Sequence, residues 1–73
     1  MDTVYVLFIE TRMVGVYTSH RKAMQAMIMD TVSSDMTLVN YEFTCDTEYF
    51  TYYDSEDNAT LWSLQEITPD QGV

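Results

Sequence analysis

The chain has 73 residues and a net charge of −9, because twelve Asp and Glu side chains oppose only three Lys and Arg. Three cations cannot form the basic patch that binding to nucleic acid or to an anionic membrane surface requires, so both roles are excluded. An apolar content of 47% with only two glycines favours a folded globule, and the length allows one domain over residues 1–73.

The first predicted elements are two strands that form a hairpin. Residues 3–10 are rich in β-branched and aromatic residues and are apolar on both alternating faces, which is typical of a central strand. A two-residue connection at 11–12 leads to a returning strand at 13–18. Gly15 within that strand indicates a bulge or the close approach of a neighbouring side chain.

A helix is predicted next, over residues 20–32, with Ser19 as its N-cap. Apolar side chains recur at helical spacing, so one face of the helix is expected to pack on the sheet. That face consists of Met24, Met27, Ile28 and Thr31, with Ala23 beside them.

From Met36 onward the hydrophobic period changes to two, which predicts a half-buried strand. One side of this strand is expected to carry Leu38, Asn40, Glu42, Thr44 and Asp46. The other side is expected to carry Val39, Tyr41, Phe43 and Cys45, with the cysteine facing the core as a small apolar residue.

The remaining elements follow from turn-forming residues. A turn at 46–47 precedes a short strand at 48–53, a loop at 54–58, a last strand at 59–68 and a loose tail at 68–73. The order β-β-α-β-β-β predicts an α+β fold, with a single antiparallel sheet and one helix packed on one face.

The first 30 residues resemble a group of small uncharacterised phage and bacterial proteins. The resemblance rests on Val4-Tyr5-Val6-Leu7, on Val14-Gly15-Val16-Tyr17-Thr18-Ser19 and on Lys22-Ala23, where a hairpin leads into a Lys-Ala-containing helix. It implies a small phage-type domain and assigns no active site.

Catalytic residues are sparse, and we expect this protein not to be an enzyme. His20 is the single histidine and Cys45 the single cysteine, and their predicted positions do not pair a nucleophile with a base. A lone cysteine suits a reducing cytosol, so a cytoplasmic location is expected. The pattern Asp54-x-Glu56-x-Asn58 resembles the start of an EF-hand, but position six is Ala59 and not glycine, so no metal or other cofactor is expected.

The acidic residues are concentrated in the later part of the chain. Residues 1–22 carry a net charge of +1, whereas residues 23–73 carry ten acids and no base. Carboxylates at regular intervals on a rigid sheet resemble the evenly spaced charges of a nucleic-acid backbone. The six carboxylates expected to form such a surface are Glu42, Asp46, Glu48, Asp54, Glu56 and Asp57.

Aromatic residues in the same region are candidate anchors for a protein partner. The anchors are expected to be Tyr49, Tyr52 and Trp62. One helix covers only one sheet face, so one of the pairs Phe50/Tyr52 and Tyr49/Tyr53 is expected to stay exposed.

Together these features suggest a phage-type inhibitor that imitates DNA, occupies the basic nucleic-acid-binding site of a host protein and acts in the host cytoplasm. The alternative is a non-enzymatic structural or assembly module that forms a homodimer through an aromatic sheet face.

Overall fold

A computed structural model describes residues 3–68, so the predicted tail at 68–73 lies outside this range except for Thr68. Its elements follow the predicted order β-β-α-β-β-β and form one antiparallel five-stranded sheet with one helix, which confirms the predicted α+β fold. The bounds are β1 Val4–Ile9, β2 Arg12–Tyr17, α1 His20–Ser33, β3 Thr37–Thr44, β4 Thr47–Tyr53 and β5 Ala59–Ile67.

The strands are arranged in the order β2-β1-β5-β4-β3, so the last strand of the chain lies at the centre of the sheet. Antiparallel pairing places three connections at one end, which we call the loop end: residues 10–11, 34–36 and 54–58. The opposite end, here the turn end, holds the β3–β4 turn at 45–46 and the link from β2 to α1 at 18–19.

The core lies between the helix and one face of the sheet. Cross-strand partners share a face, so the side chains paired with buried core residues can be assigned to the helix side. Leu7 pairs with Leu64, and Phe50 pairs with Trp62. The core consists of Leu7, Ala23, Met27, Phe50, Tyr52, Trp62 and Leu64.

The helix starts as predicted, because the Ser19 side chain accepts a hydrogen bond from the Lys22 backbone N–H at 3.1 Å. Its buried face is Ala23, Met27 and Thr31, whereas Ile28 is exposed, so the prediction that Ile28 packs on the sheet was wrong. The buried residues follow i, i+4 and i+8 positions. They form a narrower stripe on the helix than the apolar face predicted from the sequence.

The edge strand β3 departs most from prediction. Its pairing with β4 shifts between Leu38 and Asn40, so Val39 is an extra residue and Leu38 shares the helix side with Tyr41. The whole strand is exposed and not half-buried, because the helix packs mainly on β1 and β2 at the other edge. Cys45 lies exposed in the β3–β4 turn with a φ of 55°, and not in the core.

Gly15 fulfils both expectations drawn from it. The pairing of β1 with β2 shifts between Leu7 and Phe8, which marks a bulge beside the glycine. A Cβ atom on Gly15 would lie 2.8 Å from the Tyr17 hydroxyl oxygen, so the glycine leaves space for that phenol ring.

We therefore expect Gly15→Ala to destabilise the fold by about 1 kcal/mol, because overcrowding outweighs the gain from removing a strand glycine. Urea unfolding measures the change. In a Tyr17→Leu background the crowding is relieved, and the same substitution should become neutral or stabilising. An equal cost in both backgrounds would show that Tyr17 is not the cause.

Candidate functional site

Acidic side chains gather at the loop end of the sheet. The three connections and the last turn of α1 meet there, although they are distant in sequence. The base in this region is Arg12, at the start of β2. The carboxylates at the loop end are Glu10, Asp30, Asp35, Asp54, Glu56 and Asp57.

The β4–β5 loop holds its shape through Asp54. One oxygen of this carboxylate accepts hydrogen bonds from the backbone N–H groups of Glu56 and Asn58, both at 2.9 Å. The hydrogen bond from the Asn58 backbone is the largest cause that lowers the pKa of Asp54 below its ordinary value of 3.8. Asp54 therefore stays ionised and fixes the loop, while Glu56 and Asp57 project as exposed charges.

Glu10 connects the β1–β2 turn to the central strand. Its backbone N–H donates to the Leu61 carbonyl at 2.8 Å, and its carboxylate accepts from the Leu61 N–H at 2.9 Å. The side chain thus continues the ladder between β1 and β5 by one residue. Glu10 has a φ of 56°, a conformation that this turn requires.

The helix adds to the negative potential of the loop end. Its C-terminus lies there, and the last turn contains no basic residue. The aligned peptide dipoles of a helix place roughly half a negative charge at its C-terminus. Asp30 and Asp35 lie beside this terminus, so the dipole and the side chains reinforce each other.

At the turn end, Glu48 is bound to two partners on other elements. One carboxylate oxygen lies 2.6 Å from His20 Nε2 on α1, and the other accepts a hydrogen bond from the Tyr41 hydroxyl on β3 at 2.9 Å. The bond to Glu48 raises the pKa of Tyr41, because it stabilises the protonated phenol. This carboxylate serves to join the helix to the β3–β4 hairpin.

The six carboxylates predicted to form one acidic surface do not lie together. Asp54, Glu56 and Asp57 share the loop end, whereas Asp46 lies in the turn at the opposite end. Glu42 pairs with Tyr49 on the sheet face away from the helix. Glu48 points to the helix side, because the alternation of a strand places residues 48 and 49 on opposite faces.

Two of the three predicted aromatic anchors belong to the core. Tyr52 is 6% exposed and Trp62 is 2% exposed, so neither forms a contact surface for a partner. The helix and its neighbours cover the face that carries Phe50 and Tyr52. Tyr49 is half-buried and Tyr53 is exposed on the other face, so only one member of the pair expected to stay exposed does so.

Three carboxylates of the loop end were not predicted as parts of the site: Glu10, Asp30 and Asp35. They precede residues 42–57, which contain the six predicted carboxylates, and are distant from the β4–β5 loop in sequence. Only the strand order brings them to the same end, since β5 pairs with β1 on one side and β4 on the other. The sequence feature that could have indicated their place in the site is their position next to predicted turns.

Neither a metal centre nor a membrane-spanning helix is found among residues 3–68. No group of three or more His, Cys, Asp or Glu side chains in this range is placed to hold a metal ion. None of the helical residues described is part of a segment long and apolar enough to cross a membrane.

Comparison with known proteins gives no match to a family model, to a curated protein or to a solved structure. Functional inference for this chain therefore rests on its own geometry and charge.

The lowered pKa of Asp54 predicts a pH-dependent contribution to stability. A lowered pKa means that stabilisation is complete above the ordinary value of 3.8 and is lost as the pH falls below it. Asp54→Asn should therefore be less stable than the parent at about pH 7, and the difference should shrink when the pH is lowered to about 2.

Urea unfolding at both pH values measures this difference. Glu56→Gln is the control, because the Glu56 carboxylate accepts none of the hydrogen bonds that close the loop. A destabilisation by Asp54→Asn that is independent of pH would contradict the assignment.

The raised pKa of Tyr41 gives a second expectation. Replacing Glu48 by Gln removes the charge that favours the protonated phenol, so Tyr41 should ionise at a lower pH. The measurement is the ultraviolet titration of tyrosinate, with Tyr41→Phe in each background to isolate this residue. An unchanged Tyr41 titration would show that the hydrogen bond with Glu48 does not form in solution.

Proposed function

We propose that this chain is a non-enzymatic inhibitor that binds the basic, nucleic-acid-binding surface of a host protein and blocks it by occupancy. The observation that carries the proposal is the acidic loop end, because six carboxylates and one arginine lie at this end of the sheet. A phage-type origin and action in the host cytoplasm are parts of the same proposal.

The loop end offers charge in a fixed arrangement. Adjacent strands lie about 4.8 Å apart, so the connections next to β1 and β3 are separated by about 14 Å across the sheet. Asp54 rigidifies the central loop through hydrogen bonds to its own backbone. Little conformational freedom is then lost when a partner binds, which favours affinity.

Electrostatics also favours a basic partner over other classes. The helix dipole points its negative end toward the loop end, while Arg21 and Lys22 lie in the first turn at the other end. Negative charge is therefore stronger at the loop end than at the turn end. The molecule would approach a cationic groove with the loop end first. Duplex DNA presents one charge per roughly 3.4 Å on each strand, so the imitation is coarse and relies on net field more than on exact spacing.

Charge-neutralising variants test this proposal. A loop-end variant combines Asp35→Asn, Glu56→Gln and Asp57→Asn, and leaves the structural carboxylates of Glu10 and Asp54 in place. A matched control combines Glu42→Gln, Asp46→Asn and Glu66→Gln, which removes the same charge elsewhere. Each chain is immobilised and used to capture proteins from a bacterial lysate at low salt.

The parent and the matched control should retain the same nucleic-acid-binding protein, and the loop-end variant should lose it. Duplex DNA or high salt should release the captured protein, because both compete with the carboxylates. Equal capture by all three chains, or a captured protein that DNA does not displace, would overturn the proposal.

A further inference from the structure

The strands β2, β1, β5 and β4 form most of the sheet face opposite the helix. This four-strand surface, here called the open face, has a composition unlike the rest of the molecule. No other element described between residues 3 and 68 packs on it. Strand pairing defines its members on β2, β1, β5 and β4. They are Met13, Val16, Val4, Val6, Phe8, Ala59, Leu61, Ser63, Gln65, Ile67, Thr47, Tyr49, Thr51 and Tyr53.

Not one charged side chain lies on this four-strand surface, although the chain contains twelve acids and three bases. The same sheet face continues onto the edge strand β3, where Glu42 pairs with Tyr49, so one carboxylate lies at the border of the open face. Met13 is 59% exposed and Val16 is 55% exposed, whereas Val6, which pairs with Val16, is buried. Part of the face therefore presents large apolar side chains to water. Exposed apolar patches of this kind mark interaction sites.

We propose that the open face binds the open face of a second copy of this chain. Two molecules with a charge of −9 repel each other, so they tolerate contact only where the contact surface itself is neutral. The open face meets this condition on both copies. A twofold axis places the same patch on each partner, so no carboxylate of the loop end is buried.

Pairing through faces is favoured over pairing through edges. Both edge strands contain a bulge, one between β1 and β2 near Gly15 and one at Val39 of β3. Bulges interrupt the ladder of free N–H and C=O groups that strand addition requires. Two stacked sheets, by contrast, need only apolar side chains that interdigitate at about 10 Å.

The size of the open face sets the expected strength. Four strands spaced at about 4.8 Å, with six to nine residues each, give a footprint of about 20 Å by 25 Å. Covering this footprint on both copies buries about 1,000 Å² of surface in total, if the unevenness of the side chains is ignored. This area is near the lower end for specific interfaces. The dimer should therefore form in the micromolar range and should hold or tighten at high salt, where repulsion is screened.

Sedimentation velocity of the full chain over a concentration series tests the proposal. The parent should change from monomer to dimer, and Val16→Glu should weaken the dimer by about a hundredfold because it places a charge in an apolar contact. The matched control is Val32→Glu, at an exposed valine on the helix. Circular dichroism establishes that both variants are folded.

A second measurement does not depend on a disruptive substitution. In a Cys45→Ser background, a thiol placed by Ser63→Cys lies at the centre of the open face, and one placed by Ser34→Cys lies at the loop end. Maleimide labelling of the first thiol should slow as the concentration rises, and labelling of the second should not.

Two results would overturn the inference. One is a monomer at all concentrations and salt conditions, with a labelling rate at position 63 that does not depend on concentration. The other is a dimer that Val32→Glu disrupts and Val16→Glu leaves intact, because the helix would then form the interface. Neither result bears on the loop end, so the proposed binding of a basic protein is tested separately.

Discussion

A single helix of 14 residues must shield a sheet of five strands, and this mismatch determines most of what the surface of the protein looks like. A helix of this length extends about 21 Å and covers little more than two strands. It packs on β1 and β2, and the core extends beneath it to Trp62 and Phe50. Most other apolar side chains, including those of β3, remain in contact with water.

Because one helix covers only part of the sheet, the protein has two different kinds of exposed surface. Charged residues collect in the connections and along the helix side, while the open face keeps apolar and neutral polar residues. An acidic chain therefore has one strongly negative end and one neutral side. These two surfaces suit different partners, a cationic protein at the end and an uncharged surface on the side, and both could be occupied at once.

Local pattern predicted the elements well, because strand period, helix formers and turn residues act over a few neighbours. Ser19 as N-cap, Gly15 as a crowded position and the loop at 54–58 all follow from such local rules. The bulge at Val39 was not predictable from the sequence. One extra residue moves the Leu38 side chain to the other face of the sheet without any change in composition.

The candidate site depended on long-range pairing and was predicted only in part. Half of the predicted carboxylates share the loop end. The others lie away from it, either on the faces of the sheet or at the turn end, one strand length away. Tyr52 and Trp62 became core residues because β4 and β5 lie beside each other under the helix. No local pattern in the sequence indicates which strand will occupy the centre of the sheet.

The position of β5 also has a consequence for how the molecule forms. Val4 pairs with Ile67, so the sheet becomes continuous only after the first strand has paired with the last one. Contacts between such distant segments slow folding, and they leave the β1–β2–α1 segment incomplete while the ribosome is still adding residues. Removal of β5 would deprive both neighbouring hairpins of their shared partner, so the chain should fold as one cooperative unit and not in stages.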